Sequence, residues 1–172
     1  MSYQSFEQVL QKCHTEEKEF WRVILEDDMA ERNVSEEDSM EHMRATWDAM
    51  LLAAATYEGD LNSSSGLVGG DGRRMEEYIH SAGIPSLCGE YVDTCIAGAL
   101  QMGESNACMK RIVAAPTAGA CGVLPAVLVP YFQKRCKDTD KILKAMYVAA
   151  GIGQIIATRS SISGAAGGGR GM

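Results

Sequence analysis

Cys121 stands in a run of small residues, Ala115-Pro116-Thr117-Ala118-Gly119-Ala120-Cys121-Gly122-Val123-Leu124-Pro125-Ala126, at the mouth of an apolar segment. A thiol becomes a nucleophile or a metal ligand when it is ionised and accessible, and a turn that runs into a helix start favours both. Pro116 fixes φ, Gly119 permits positive φ, and Gly122 leaves space beside the sulfur. The opposing reading of the same residues is a buried structural cysteine. On the accessible reading, Cys121 alkylates faster than Cys95 or Cys108, whose helical surroundings imply burial. A second segment, Gly66-Leu67-Val68-Gly69-Gly70-Asp71-Gly72, could hold an anion with its backbone N–H groups. It lacks the Gly-Lys-Ser/Thr ending of a P-loop and follows no strand, which argues against a nucleotide. Lys110 lies just ahead of the cysteine turn and would serve as a general base if desolvated. At a hydrated helix end it is an ordinary surface charge.

Helical spacing dominates the elements that must position these residues. Phe6, Val9, Leu10 and Cys13 recur at three and four, followed by Phe20 and Ile24. Ser35 with Asp38 forms a capping box ahead of a face made by Met40, Met43, Trp47, Met50, Leu51 and Ala54, and Gly59 ends that helix. Residues 59 to 74 form a loop. A short helix from Met75 to Ala82 is stopped by Gly83 and Pro85, and Ser86 caps the next, which carries Leu87, Tyr91, Cys95, Gly98, Ala99 and Met102. Residues 111–114 form a short extended lead-in to Pro116. Val123 to Cys136 reads as a helix with Pro125 in its first turn and a kink at Pro130. Asp138 or Thr139 caps a last helix from Lys141 to Thr158. Alternating β patterns are scarce, so the expected fold is all-α.

The 172 residues suffice for one domain with a real core, and 46% hydrophobic with 23% charged residues is the composition of a globular chain. Residues 1–60 hold fifteen acidic and five basic side chains, the remainder eight and eleven. That acidic half argues against nucleic-acid binding, and the mild positive excess of the rest suits a small carboxylate substrate. The longest uncharged apolar run, Ala145 to Ala157, is shorter than the ~20 residues of a membrane span, and no signal peptide is evident. The six cysteines form no C-x-x-C pair, which fits reduced thiols in the cytoplasm. His14, His42 and His80 lack the spacing of a zinc site.

The cysteine turn resembles the P-T-x-G-x-C-G-x-x-P segment in the alpha chain of iron–sulfur-dependent L-serine dehydratases. Two further pieces agree in order: Ser63-Ser64-Ser65-Gly66-Leu67-Val68-Gly69-Gly70-Asp71 is similar to the family's S-x-S-G-L-x-G-G-D loop, and Ser161-Ile162-Ser163-Gly164-Ala165-Ala166-Gly167-Gly168 to the approach to its second cluster cysteine. The resemblance implies a lyase that turns L-serine into pyruvate and ammonia, with a [4Fe–4S] cluster as Lewis acid and a beta chain or domain as partner, in an oligomer. It implies one alpha-type domain over 1–172, with an acidic helical lead-in at 1–58 and a site-forming part at 59–172. The glycine-rich loops converge on one site, where the Gly66–Gly72 loop and the Pro116–Gly122 turn share a pocket. Cys121 becomes a cluster ligand; Ser63, Ser65, Gly66 and Gly69 become substrate contacts; Asn106 and Thr117 become hydrogen-bonding residues beside them, and Lys110 is the candidate base. Gly169 stands where the family carries its second ligand, and the family's alpha segment continues past Met172. The resemblance therefore reads this chain as an N-terminal part, inactive alone. Its alternatives are an L-cysteine desulfidase-type lyase and a non-catalytic remnant that binds a partner chain.

Overall fold

A computed structural model describes residues 3–81 and 86–159, and every regular element among them is helical, as expected. The chain divides into two compact units, Met1–Trp47 with Asp138–Met172, and Asp48–Lys137.

The first unit contains α1 (Phe6–Glu16), α2 (Phe20–Arg32), the start of α3 (Glu36–Ala55) and α7 (Thr139–Arg159). The apolar periodicity from Phe6 to Ile24 is broken by a turn that the spacing does not reveal. Glu17 takes φ 52° and the Lys18 N–H donates to the Cys13 carbonyl at 3.0 Å, which closes α1 before α2 begins. Asn33 ends α2 in the same way at φ 53°. The capping box forms despite its short acid: Ser35 Oγ accepts the Asp38 N–H at 3.1 Å and Asp38 Oδ2 accepts the Ser35 N–H at 3.3 Å. Asp138 caps α7 by accepting the Lys141 N–H at 3.2 Å. Val9, Val23, Ile24, Leu25, Tyr147 and Ile155 build the core. Tyr147 keeps its hydroxyl paired there, at 2.6 Å from Ser39 Oγ, which in turn donates to Asp28 at 2.6 Å. Outside the core, Lys18 and Arg22 both hold Glu26, and Arg22 also grips Glu36 with two nitrogens.

The second unit contains the end of α3, α4 (Asp71–His80), α5 (Glu90–Ala107), a single 3₁₀ turn (Ala118–Ala120), α6 (Val123–Tyr131) and a π turn (Phe132–Cys136). Helix α4 starts at Asp71 rather than Met75, and α5 at Glu90 rather than after Ser86. In the second case Ser86 Oγ accepts the Gly89 N–H at 2.7 Å, forming a tight turn ahead of the helix, and Gly89 turns into it at φ 85°. Gly83 and Pro85 lie outside the described residues. Helices α5 and α6 pack antiparallel, with Gly98 against Ala126 and Lys134 reaching Glu90 at 2.8 Å. Gly122 makes the closest approach: a Cβ there would sit 2.9 Å from the Ala99 carbonyl oxygen. The backbone answers Pro130 by widening into the π turn, which Lys137 closes at φ 50°.

Candidate functional site

The glycine loop is shaped by its own serines. Ser63 N–H donates to the Val68 carbonyl and Gly66 N–H to the Ser63 carbonyl, each at 2.8 Å. Ser63 Oγ accepts the Val68 N–H at 3.1 Å and lies 3.1 Å from Ser65 Oγ, which accepts the Leu67 N–H at 3.4 Å. The two candidate hydroxyls therefore fold the loop as well as lining it. Gly69 takes φ 153°, and a Cβ there would overlap the Leu61 carbonyl oxygen, so the loop closes only around glycine.

Sequence reasoning missed the group on which this loop is seated. Glu104, on α5 and 3% exposed, accepts the Asp71 and Gly72 N–H groups with Oε1 at 2.5 and 3.2 Å. Its Oε2 accepts the Tyr57 hydroxyl at 2.5 Å. These two amides open α4, where orphan donors and the helix dipole favour a negative charge. Burial first, and then the bond to Glu104, push the Tyr57 phenol far above its ordinary value. The anion seat expected of this loop is thus partly filled by the protein's own carboxylate. The Gly69 and Gly70 amides, just ahead of α4, have no hydrogen-bond partner among the described residues. A signal for Glu104 was present: it is the lone charged residue between Ile96 and Met109, and an isolated carboxylate in an uncharged helix half calls for a buried partner.

In the second segment, Thr117 Oγ1 accepts the Ala120 N–H at 3.3 Å and Asn106 Nδ2 donates to the Ala118 carbonyl at 3.0 Å. Both candidates hold the turn that delivers Cys121. That turn tucks the sulfur inward: Cys121 is 2% exposed, packs with Ala53, Met102 and Ile112, and lies 3.7 Å from the Met102 carbonyl. Burial pushes its thiol pKa up. The expectation of an accessible, fast-reacting Cys121 is corrected accordingly, since Cys95 and Cys108 are only partly buried and Cys88 is exposed. Lys110 is exposed and lies 2.9 Å from Glu58, whose carboxylate holds the ammonium pKa up, opposite to what a general base requires.

Loop and turn dock on the same stretch of α5, through Glu104 on one hand and through Met102 and Asn106 on the other. At ~100° per residue Glu104 lies about 160° around the helix from both. The two segments therefore share one supporting helix and approach it from different sides. A cleft of about 300 Å³ lies elsewhere in this unit, between α4, α5 and α6, lined by Ile79, Ala97, Gln101 and Pro125 among others. Among the described residues no group of three or more His, Cys, Asp or Glu side chains could hold a metal ion. Cys121 is a lone, buried thiol among them, so the described residues by themselves do not fit an iron–sulfur cluster. Ser161 to Gly169 lie outside the described residues, and no described helix is long and apolar enough to cross a membrane.

The sequence is similar to the L-serine dehydratase alpha chain of Peptoniphilus asaccharolyticus, with 29% identity over 163 residues, covering 94% of this chain and 55% of that one. A probable L-serine dehydratase alpha chain of Bacillus subtilis (strain 168) is 32% identical over 146 residues, covering 85% and 48%. L-serine dehydratase 2 of Escherichia coli (strain K12) is 45% identical over 69 residues, covering 39% of this chain and 15% of that protein. The chain thus spans about half the length of the two alpha chains it matches. No solved structure matches it significantly. Residues 15–171, which include both the serine–glycine loop and the proline-bracketed cysteine turn, match the family described as serine dehydratase alpha chain, and the chain belongs to that family.

Proposed function

We propose that this chain forms part of the alpha portion of an L-serine dehydratase, which converts L-serine to pyruvate and ammonia together with a beta chain or domain. The observation that carries this reading is the family match over residues 15–171, which spans both candidate segments in one frame. On this reading the chain is one alpha-type unit, its 59–172 part supplying the site. Gly66 and Gly69 shape the loop, Ser63 and Ser65 brace it, and the Gly69 and Gly70 amides left over by Glu104 are available to a substrate carboxylate. Asn106 and Thr117 hold the turn that carries Cys121. The iron–sulfur chemistry implied by the resemblance needs ligands beyond the described residues.

The partner-binding reading has one observation in its favour, the burial of the one thiol that matches the family's ligand position. The two readings separate in one experiment. The chain is co-expressed with an L-serine dehydratase beta chain, reconstituted anaerobically with iron and sulfide, and assayed for pyruvate from L-serine and sulfide from L-cysteine. The dehydratase reading expects visible absorption and pyruvate, both lost in Cys121→Ser. Sulfide release exceeding pyruvate release moves the assignment to the desulfidase-type lyase. A stable complex with neither absorption nor turnover supports the partner-binding chain and sinks the enzyme.

A further inference from the structure

Helix α4 starts without a side-chain cap of its own. Its N-cap is Gly70, at φ 84°, which has no side chain to accept the first amides. The cap comes instead from α5, where Glu104, 3% exposed, takes the Asp71 and Gly72 N–H groups from 33 and 32 residues away. Burying a carboxylate costs more than placing a serine or aspartate at the N-cap. Three donors compensate it: the two amides bond Oε1, and the Tyr57 hydroxyl bonds Oε2 and fixes the rotation of the carboxylate. Packing fixes its distance. A Cβ at Gly72 would lie 2.7 Å from Gln101 Cγ and 2.8 Å from Tyr57 Oη, so the first turn of α4 already sits as close to α5 as glycine allows. The loop is open elsewhere, since a Cβ at Gly66 or Gly70 would meet nothing within 4 Å. A side-chain cap at position 70 would fill the space beside Gly70. A cap from α5 leaves it clear.

We propose that Glu104 is a positioning residue for the substrate seat: by capping α4 from α5, it holds the serine–glycine loop with the Gly69 and Gly70 amides clear for a substrate carboxylate. The identity of that carboxylate rests on the L-serine dehydratase reading; the hold on the loop does not. The loop is braced within itself, because Ser63 bonds Val68 through both its N–H and its Oγ, and Gly66 bonds back to Ser63. It therefore follows the first turn of α4 as a unit. Length at position 104 is then decisive. Glu104→Asp withdraws the carboxylate by one methylene from amides that cannot follow, since Gly72 has no room left against Gln101 and Tyr57. Glu104→Gln keeps the length and an acceptor oxygen for both amides, and its NH2 group can donate to the Tyr57 oxygen. The substrate carboxylate takes no part in the bonds broken when serine loses water. A misplaced seat therefore weakens ground and transition state alike, and the loss falls on KM.

Two measurements on the same variants test it. In the full chain, hydrogen exchange read by mass spectrometry is expected to quicken at least about tenfold across residues 61–74 in Glu104→Asp, with α6 within about threefold of wild type. Glu104→Gln is expected to restore most of the protection. In the chain co-expressed with a beta chain and reconstituted, Glu104→Asp is expected to raise KM for L-serine at least about tenfold with kcat within about threefold, and Glu104→Gln to recover most of that loss. Should Glu104→Asp fail to fold, Tyr57→Phe, which releases the rotation of the carboxylate, is expected to quicken exchange about threefold across 61–74 alone. Loop exchange that is unchanged, or that rises equally in α6, overturns the proposal, as does a Glu104→Gln as damaged as Glu104→Asp. A fall in kcat at constant KM overturns it too. A wild-type complex that turns over no L-serine counts against the dehydratase reading, and the exchange measurement then upholds or overturns the hold of Glu104 on the loop by itself.

Discussion

The two units solve the problem of charge in opposite ways. In the first, partly exposed carboxylates are laced by cations: Lys18 and then Arg22 hold Glu26 low, and Arg22 does the same for Glu36. In the second, the notable titrating groups are a thiol and a phenol pushed up by burial, Cys121 and Tyr57, beside the buried Glu104 carboxylate that anchors the loop. The acidity of residues 1–60 therefore reads as a laced helical shell more than as a binding surface. Groups that could do chemistry are concentrated where the backbone is glycine-rich and closely packed. An excess of charge in a sequence is thus a weaker guide to a site than one lone charge in an uncharged segment.

Breaking the seat of the loop is the strongest test of this contrast. Glu104→Ala orphans two amides and a partly buried hydroxyl, and is expected to cost about 3 kcal/mol in urea-denaturation stability. The matching deletion in the first unit, Ser39→Ala, is expected to cost about 1–2 kcal/mol, because it removes the hydroxyl that bridges Tyr147 and the Asp28 carboxylate but orphans no backbone amide. Equal losses would mean that the two units are held alike.

Glycine substitutions sharpen the same comparison at a smaller scale. Gly69→Ala meets a backbone carbonyl at positive φ and is expected to cost about 2 kcal/mol or more. Gly151→Ala, in α7, places its Cβ 2.6 Å from Ile24 Cδ1, the movable end of a side chain. Its expected cost is about 1 kcal/mol. Thermal melts rank the pair, and a cheaper Gly69→Ala would show that the loop is not locked.

Titration acts in opposite directions on the groups just compared, although burial also raises Tyr147 in the first unit and Lys134 lowers Glu90 in the second. The folded pKa values of Glu26 and Glu36 are lowered, so their stabilisation is complete above the unfolded value near ~4.3 and is lost as pH falls through the folded ones. Those of Cys121 and Tyr57 are raised, so their contribution is complete below the unfolded values and is lost as pH rises through the folded ones. Hydrogen exchange is expected to loosen α2 and the start of α3 first in acid, and the α5–turn contact first in alkali. The reverse order would refute the assignment. The smallest effect belongs to Lys110→Met, which breaks only an exposed pair and should leave the melting temperature unchanged within error. A clear drop would reveal a buried role that the geometry does not show.

The sequence was most legible where one side chain settles one local bond. Ser35 and Asp38 made their reciprocal cap, and Asp138 took the start of α7. It misled where the deciding partner is distant in the chain. Helix α4 starts at Asp71 because Glu104, thirty-three residues away, receives its first amide, and no local pattern encodes that. Cys121 shows the same limit: its small neighbours permit either exposure or close packing. Met102 and Ala53, both on other helices, chose packing. Turn composition reports the freedom of a segment, while the direction in which it folds is set by what it lands on.

The non-glycine helix stops leave this chain with unused headroom. Glu17 and Lys137 hold left-handed conformations at φ 52° and 50° that glycine adopts without a Cβ penalty. Glycine at either position is expected to raise stability by roughly 0.5–1 kcal/mol. Such a reinforced background would let the costlier loop variants be purified folded, so that loss of function could be told apart from loss of structure.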